Sequence, residues 1–342
     1  MPAIMKNKCL LQACLVVLIL LLAVNLHAQN IVQLDQGQRS SKRGLSVVND
    51  NVAWVSGSAG YIGITHNGGK NWDWKTVKGF EKADFRDIEA FSDKEAIIMS
   101  SGTPALILKT IDGGANWKVK YQNADTTYFF DAMDFADNKH GYILGDPIKN
   151  KFLLMETTDG GESWQMTDGP DALPNEAAFA ASGTCLCVNG ALTIVTGGGA
   201  SRVLVSPMNN KNWVSTPVPL TNGKQSRGAF SVAYGKNQTI VVGGDYEKNK
   251  KTDSVAYILP QASAAYKQNM PVSGPAGYQS CVEYISGDTF LSTGTSGTNI
   301  TTDGGKTWTK IDDASYNVCR KAKRGKLVLL AGDLDKIAVL KL

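Results

Sequence analysis

Thr301-Thr-Asp303-Gly-Gly305-Lys-Thr-Trp308 is one of four octapeptides built alike. The others are Thr65-His-Asn67-Gly-Gly69-Lys-Asn-Trp72, Thr110-Ile-Asp112-Gly-Gly114-Ala-Asn-Trp117 and Thr157-Thr-Asp159-Gly-Gly161-Glu-Ser-Trp164, the first with Asn in place of Asp. A worn copy, Ser206-Pro-Met-Asn-Asn-Lys-Asn-Trp213, lies between them. Starts at 65, 110, 157 and 206 are 45, 47 and 49 residues apart. The 95 residues from 206 to 301 make two such periods, so a decayed copy is expected near Val255-Ala-Tyr-Ile258, with Tyr266 replacing the tryptophan.

A repeat of this length is one propeller blade, a small sheet that cannot bury its faces without neighbours. The residue types fit a tight turn. Asp or Asn accepts backbone N–H groups, Thr adds a second local bond, and the glycines permit positive φ. The tryptophan then opens an outer strand and offers a large apolar face to pack between sheets. Asn67, Asp112, Asp159 and Asp303, with Trp72, Trp117, Trp164, Trp213 and Trp308, are therefore read as scaffold.

Outward from the octapeptides, a glycine-ended strand precedes each unit, at Gly57, Gly102, Gly145, Gly197, Gly243 and Gly294. The feature recurs at Leu327-Val-Leu-Leu-Ala-Gly332, which makes seven units. The last has an inner strand at Val318–Ala322, a second at Leu327–Ala331 and a third at Ile337–Leu340, and then the chain ends. Ile31-Val-Gln-Leu34 is expected to supply its fourth strand and seal the ring, leaving no open sheet edge. The expected fold is an all-β, seven-bladed propeller of four-stranded blades over 29–342, closed by an N-terminal strand.

Residues 1–28 read as an export signal. Lys6 and Lys8 precede the ten-residue apolar run Leu15–Val24, and Ala28 offers a small residue before a cut. Leu11-Gln-Ala-Cys14 resembles a lipoprotein cleavage box, but the apolar run follows the cysteine where it should precede it. Removing residues 1–28 lowers the formal net charge from +4 to +2, too mild a balance for a nucleic-acid partner. The mature chain is expected to be periplasmic or extracellular, monomeric and without a membrane span. Cys185, Cys187, Cys281 and Cys319 remain; their spacing is not that of a metal site, and they are read as small buried hydrophobes.

The octapeptides resemble Asp-boxes, the BNR repeats of propellers that include sialidases, sortilin-type receptors and the photosystem II stability and assembly factor family. Seven units and a short exported form are most similar to that last family. The resemblance spans 29–342 and implies a scaffold or chaperone-like role toward a protein partner, with no cofactor.

Chemistry would sit on the inner strands, which line the channel. Aligned, they are Arg43-Gly-Leu-Ser-Val, Arg86-Asp-Ile-Glu-Ala, Phe130-Asp-Ala-Met-Asp, Ser182-Gly-Thr-Cys-Leu, Arg227-Gly-Ala-Phe-Ser, Gln279-Ser-Cys-Val-Glu and Asn317-Val-Cys-Arg-Lys. Arg43, Arg86 and Arg227 share one register and Asp87 and Asp131 the next, with Glu89, Asp134, Glu283 and Arg320 further along. Either these charges neutralise one another in a water-filled channel, or the arginines recognise an acidic protein partner.

The alternative is a glycan-binding or sialidase-like chain, with three arginines on a carboxylate, Tyr128 or Tyr278 beside them, and Asp87, Asp131 or Glu283 as acids. The Arg-Ile-Pro motif of sialidases is missing, since Gly44-Leu45 follows Arg43, and sialidases have six blades. Gly197-Gly-Gly199 leads into a strand and so is no phosphate cradle. No catalytic or metal-ligating residue is assigned. Two insertions, from Asp168 to Ala177 and from Asp245 to Asp253, lengthen loops of the kind that carry function.

Overall fold

The computed structural model describes residues 30–34, 37–209, 211–260 and 271–341; the expected signal 1–28 and Tyr266 lie outside them. The fold is an all-β ring of seven blades. Its inner strands are Lys42–Val47, Phe85–Ala90, Phe130–Phe135, Leu186–Val188, Lys224–Tyr234, Cys281–Ser286 and Val318–Lys321. Each touches the next, and the last meets the first. Among the described residues the only helical element is a 3₁₀ turn at Tyr246–Lys248, and no helix is long and apolar enough to cross a membrane.

The octapeptide turns are the joints between blades. In each, the Thr hydroxyl accepts the N–H of the second glycine, at 3.0 Å in Thr65–Gly69, Thr110–Gly114 and Thr301–Gly305 and 2.9 Å in Thr157–Gly161. That hydroxyl donates to the Asn or Asp two residues on, whose oxygen in turn accepts the N–H four residues further along.

The second glycine has positive φ and rests on the preceding blade. A Cβ on Gly161 would come within 2.3 Å of Ile97 Cδ1, and one on Gly305 within 2.5 Å of Ile240 Cδ1. The tryptophans follow it into the same seam: Trp164 packs among Ile97, Met99 and Ile107 of blade 2, and Trp308 among Ile240, Val242 and Ile258 of blade 5. Trp117 meets Trp54 of blade 1 edge to face at 6.4 Å. Conformation and close approach together make alanine unsuitable at the glycine.

Two second strands run past the glycines read as their ends, to Ile148 and Asp245. The first continues because Lys149 and Asn150, both at positive φ, turn it into a long hairpin. Blade 5 has three described strands of its own and takes on two short ones beside its inner strand, Glu176–Ala177 and Gly197–Gly198. Its fourth strand, as the repeat places it, falls beyond the described residues.

Asn30–Leu34 pairs antiparallel with Ile337–Lys341, from Asn30 opposite Lys341 to Leu34 opposite Ile337. Ile31 and Leu34 also pack on the cluster that joins blades 6, 7 and 1. Losing both the ladder and these apolar contacts should cost several net hydrogen bonds at about 1 kcal/mol each plus apolar burial. Deleting residues 29–36 is therefore expected to lower the thermal midpoint by roughly 5–10 °C. An unchanged calorimetric transition would show that this strand does not close the ring.

Candidate functional site

In five inner strands the pairing with the second strand skips one residue; Ile285 is skipped near the far end of its strand, and the other four are Arg43, Arg86, Asp131 and Phe230. A bulge re-aims its side chain. All four line one cavity of about 480 Å³ at the channel mouth where the inner strands begin. The structural register therefore differs from the sequence alignment. Blade 3 contributes Asp131 and blade 5 contributes Phe230, three residues beyond Arg227. Arg227 stays outside the cavity lining, its Nε 2.7 Å from Asp245 Oδ2.

The insertion from Asp168 to Ala177 completes the mouth. Glu176, buried, takes Arg202 Nε and Nη2 on its two oxygens at 2.8 and 2.5 Å, and accepts the Thr196 hydroxyl at 2.5 Å. This bidentate pair pins the insertion to blade 4 and delivers the following segment, Ala178 to Ala181, into the cavity wall. Phe179 stacks on Phe230 with ring centroids 3.7 Å apart, Tyr278 meets Phe230 edge-on at 4.8 Å, and the exposed Tyr246 stands at the rim. Alignment of inner strands missed Phe179, Tyr246 and Asp146. The first two lie at or beside the insertions that the sequence marks.

Charge in the mouth is largely committed. Arg86 Nε holds Asp84 Oδ2 at 2.7 Å and its guanidinium lies over Phe129. Arg43 donates to Ala181 O at 3.2 Å, and its charge acts on Asp333, which Ser41 and Asn317 also hydrogen-bond. Asp131 is different. It is 1% exposed, and neither of its oxygens has a hydrogen-bond partner. Burial and the neighbouring Asp146 push its carboxyl well above the usual range, offset only in part by Arg86 and the nearby Ala180 amide. Burial also raises Asp146, to about 6.

Below the mouth the channel narrows. Asp87 accepts the N–H groups of Ile88 and Met133, both at 2.8 Å, and lies so close to Gly183 that a Cβ there would be 2.2 Å from Asp87 Oδ2. Across from them a chain of small groups links blades 4 to 7. Thr184 Oγ1 donates to Ser231 Oγ at 2.6 Å, Ser182 Oγ to Ser280 O at 2.7 Å and Ser280 Oγ to Asn317 O at 2.7 Å. The Cys281 and Cys319 thiols lie 3.7 Å apart in the same layer, and all four described cysteines are free.

Arg320 and Glu283 occupy a second, smaller chamber of about 130 Å³ with Asp87, Glu89 and Asp134. Arg320 Nη1 is 3.5 Å from Glu283 Oε2, and Lys323 pairs with Glu89. Burial raises Glu283 to about 7 and Asp134 to about 6. The seven candidate residues thus divide: Arg43, Arg86 and Asp131 share the mouth; Asp87, Glu283 and Arg320 share the lower chamber; Arg227 lies in neither. The three arginines that a sialidase clamp needs do not converge.

Residues 25–125 match the family described as photosynthesis system II assembly factor YCF48, and residues 300–310 match the BNR/Asp-box repeat. The chain is 30% identical over 97 residues to the photosystem II stability/assembly factor HCF136 of Arabidopsis thaliana, covering 27% of this chain and 23% of that one. It is 26% identical over 153 residues to the photosystem II assembly lipoprotein Ycf48 of Synechococcus sp. (strain CC9902), covering 43% of each. The matches thus span less than half the length of these curated relatives. In three dimensions it superposes on the solved structure titled YCF48 bound to D1 peptide with a TM-score of 0.66 at 13% identity, over 94% of this chain and 97% of that one.

Two stability predictions follow from the site's charges. Removing one partner of a buried ion pair costs about 3–5 kcal/mol, so Arg202→Leu is expected to lose that much in urea denaturation; a loss under 1 kcal/mol would mean that the pair does not anchor the insertion. The second concerns pH. Asp112, Asp137 and Asp159 are held at about 2 by hydrogen bonds, so they add stability as pH rises from 2 through the unfolded value of 3.8. Asp134, Asp146 and Glu283 are raised to about 6, 6 and 7, so the folded state keeps protons that the unfolded chain releases, and stability falls from about pH 4 to 7. Thermal midpoints should peak near pH 4–5 and decline toward pH 7. Asp146→Asn with Glu283→Gln should flatten the decline, and an equally steep decline in that variant would reject these groups as its source.

Proposed function

We propose that this chain, an Asp-box propeller similar in part of its length to photosystem II assembly factors, is an exported, non-enzymatic protein-binding factor that aids the assembly of a larger envelope or photosynthetic complex. A segment of the partner docks over the channel mouth. The observation that carries this reading is the mouth itself: a concave site of about 480 Å³ whose aromatic side chains and convergent charges are held by bulges and by an anchored insertion. Stacked and edge-on rings give a rigid apolar surface at little entropic cost, while Arg43 and Arg86 fix orientation. A solved propeller of the same fold carries a peptide, as its title states, which supports a polypeptide as the ligand class. Export rests on the signal-like residues 1–28.

The test is affinity capture with the purified protein, followed by mass spectrometry of what it retains. Arg43→Glu combined with Arg86→Glu is expected to abolish recovery of the partner while circular dichroism still shows the folded β structure, at a thermal midpoint lowered by the loss of the Arg86–Asp84 pair. Undiminished recovery by the folded double variant would rule out docking at this mouth.

A further inference from the structure

The mouth has an electrostatic remainder that its arginines do not satisfy. Arg86 is committed to Asp84, Arg43 faces Asp333, and Arg227 is bound to Asp245 outside the cavity. Two carboxyls are left on blade 3. Asp131 is almost wholly buried with no hydrogen bond closed on either oxygen, only the nearby Ala180 amide and the charge of Arg86 easing it, and Asp146 beside it is half-buried with one oxygen unpartnered. Both line the cavity. Burying a carboxyl without a partner is costly, and a folded protein keeps such a group where something else completes it.

The aromatic part of the same lining narrows what that could be. Phe179, Phe230 and Tyr278 form a continuous ring cluster, with Tyr246 at the rim. Carboxylates and aromatic rings that line one cavity suit an organic cation, which can gain a charge-assisted hydrogen bond from the first and a cation–π contact from the second. A small hydrated metal ion gains nothing from the rings, and an anion meets two acids. We infer that this corner of the mouth receives one side-chain cation, an alkylammonium or guanidinium presented by a docked polypeptide, with Asp146 as its direct partner and Asp131 behind it. The inference deepens the docking proposal by naming the chemistry of the group that enters.

The Ala178 amide acts directly on Asp146, and the titratable and charged groups that share the cavity with it are Asp131 on its own blade, Arg86, paired with Asp84, from blade 2, and Arg43, Tyr246, Tyr278 and Asp333. Burial holds both carboxyls above the usual range, Asp146 at about 6; an entering cation favours their ionised forms, so binding strengthens as pH rises through that value.

Single-residue probes test this without any partner. N-acetyl-lysine amide and N-acetyl-arginine amide are titrated into the purified protein by NMR, with the glutamine and glutamate amides as neutral and anionic controls. At least one cationic amide is expected to saturate, with affinity rising about tenfold from pH 5 to pH 8 as a carboxyl near 6 ionises. Asp146→Asn should weaken that binding at least tenfold at pH 8. Asp131→Asn, which keeps the shape but can no longer ionise behind Asp146, should also weaken it without lowering the thermal midpoint. No saturation by either cation, binding unchanged in folded Asp146→Asn, or preference for the glutamate amide would overturn the inference. Because the probes contain no partner, their failure leaves docking to be judged by capture. Saturation by a cation alongside undiminished capture by the arginine variant would instead keep the pocket and remove the docking site.

Discussion

Closure of the ring is the constraint on which everything else rests. Seven twisted sheets share one axis only if each leans on two neighbours, and the last can do so only when Asn30–Leu34 completes it from the other end of the chain. Once the ring closes, the inner strands converge and large side chains no longer fit between them. Hydroxyls and thiols from blades 4 to 7 therefore meet at the waist, and Asp87 can lie against Gly183 only because that residue lacks a Cβ. Closure thus makes the waist, and the waist divides one channel into a mouth and a lower chamber.

The two chambers treat buried charge differently. In the lower one Arg320 stands among Asp87, Glu283 and Asp134, and its guanidinium favours the charged form of each while burial opposes it. Such an arrangement is a self-contained network, with backbone N–H groups completing Asp87 and Asp134. The mouth is not self-contained. Its arginines are matched but Asp131 is not, and an unmatched buried acid is a stability cost that a purely structural channel has no reason to carry.

The octapeptides made the fold legible because their chemistry is local. Thr157, Asp159 and Gly161 bond to one another within five residues, so the turn is written in contiguous sequence, and its recurrence counts the blades. The closing strand was legible by subtraction, since the last unit lacked one. The mouth was only half legible. Arg43 and Arg86 stand at equivalent bulges and also align in sequence, but a bulge leaves no mark in a sequence, so the register slipped by one residue at Asp131 and by three at Phe230. Arg227 aligned with the other arginines and yet belongs to a longer strand, where Asp245 holds it. Phe179 and Asp146 come from a segment after an insertion and from a strand that outran its glycine, neither of which an inner-strand alignment samples.

These irregularities differ from blade to blade around one mouth, and that gives the mouth a direction. Blades 1 to 3 and 7 contribute its charged half, through Arg43, Arg86, Asp131, Asp146 and Asp333, while the segments belonging to blades 4 to 6 contribute its aromatic half. An ideal seven-fold ring would offer seven equivalent approaches, and a bound chain would have no preferred orientation. Here the Glu176–Arg202 pair fixes one insertion and the 3₁₀ turn capped by Asp245 holds the other, so the break in symmetry is rigid. The same Asp245 also ties down Arg227, which removes a positive charge from the aromatic side. A segment lying across the mouth, as proposed, would therefore meet rings at one end and charge at the other, and reversing it would set its apolar end on the unmatched acids of blade 3.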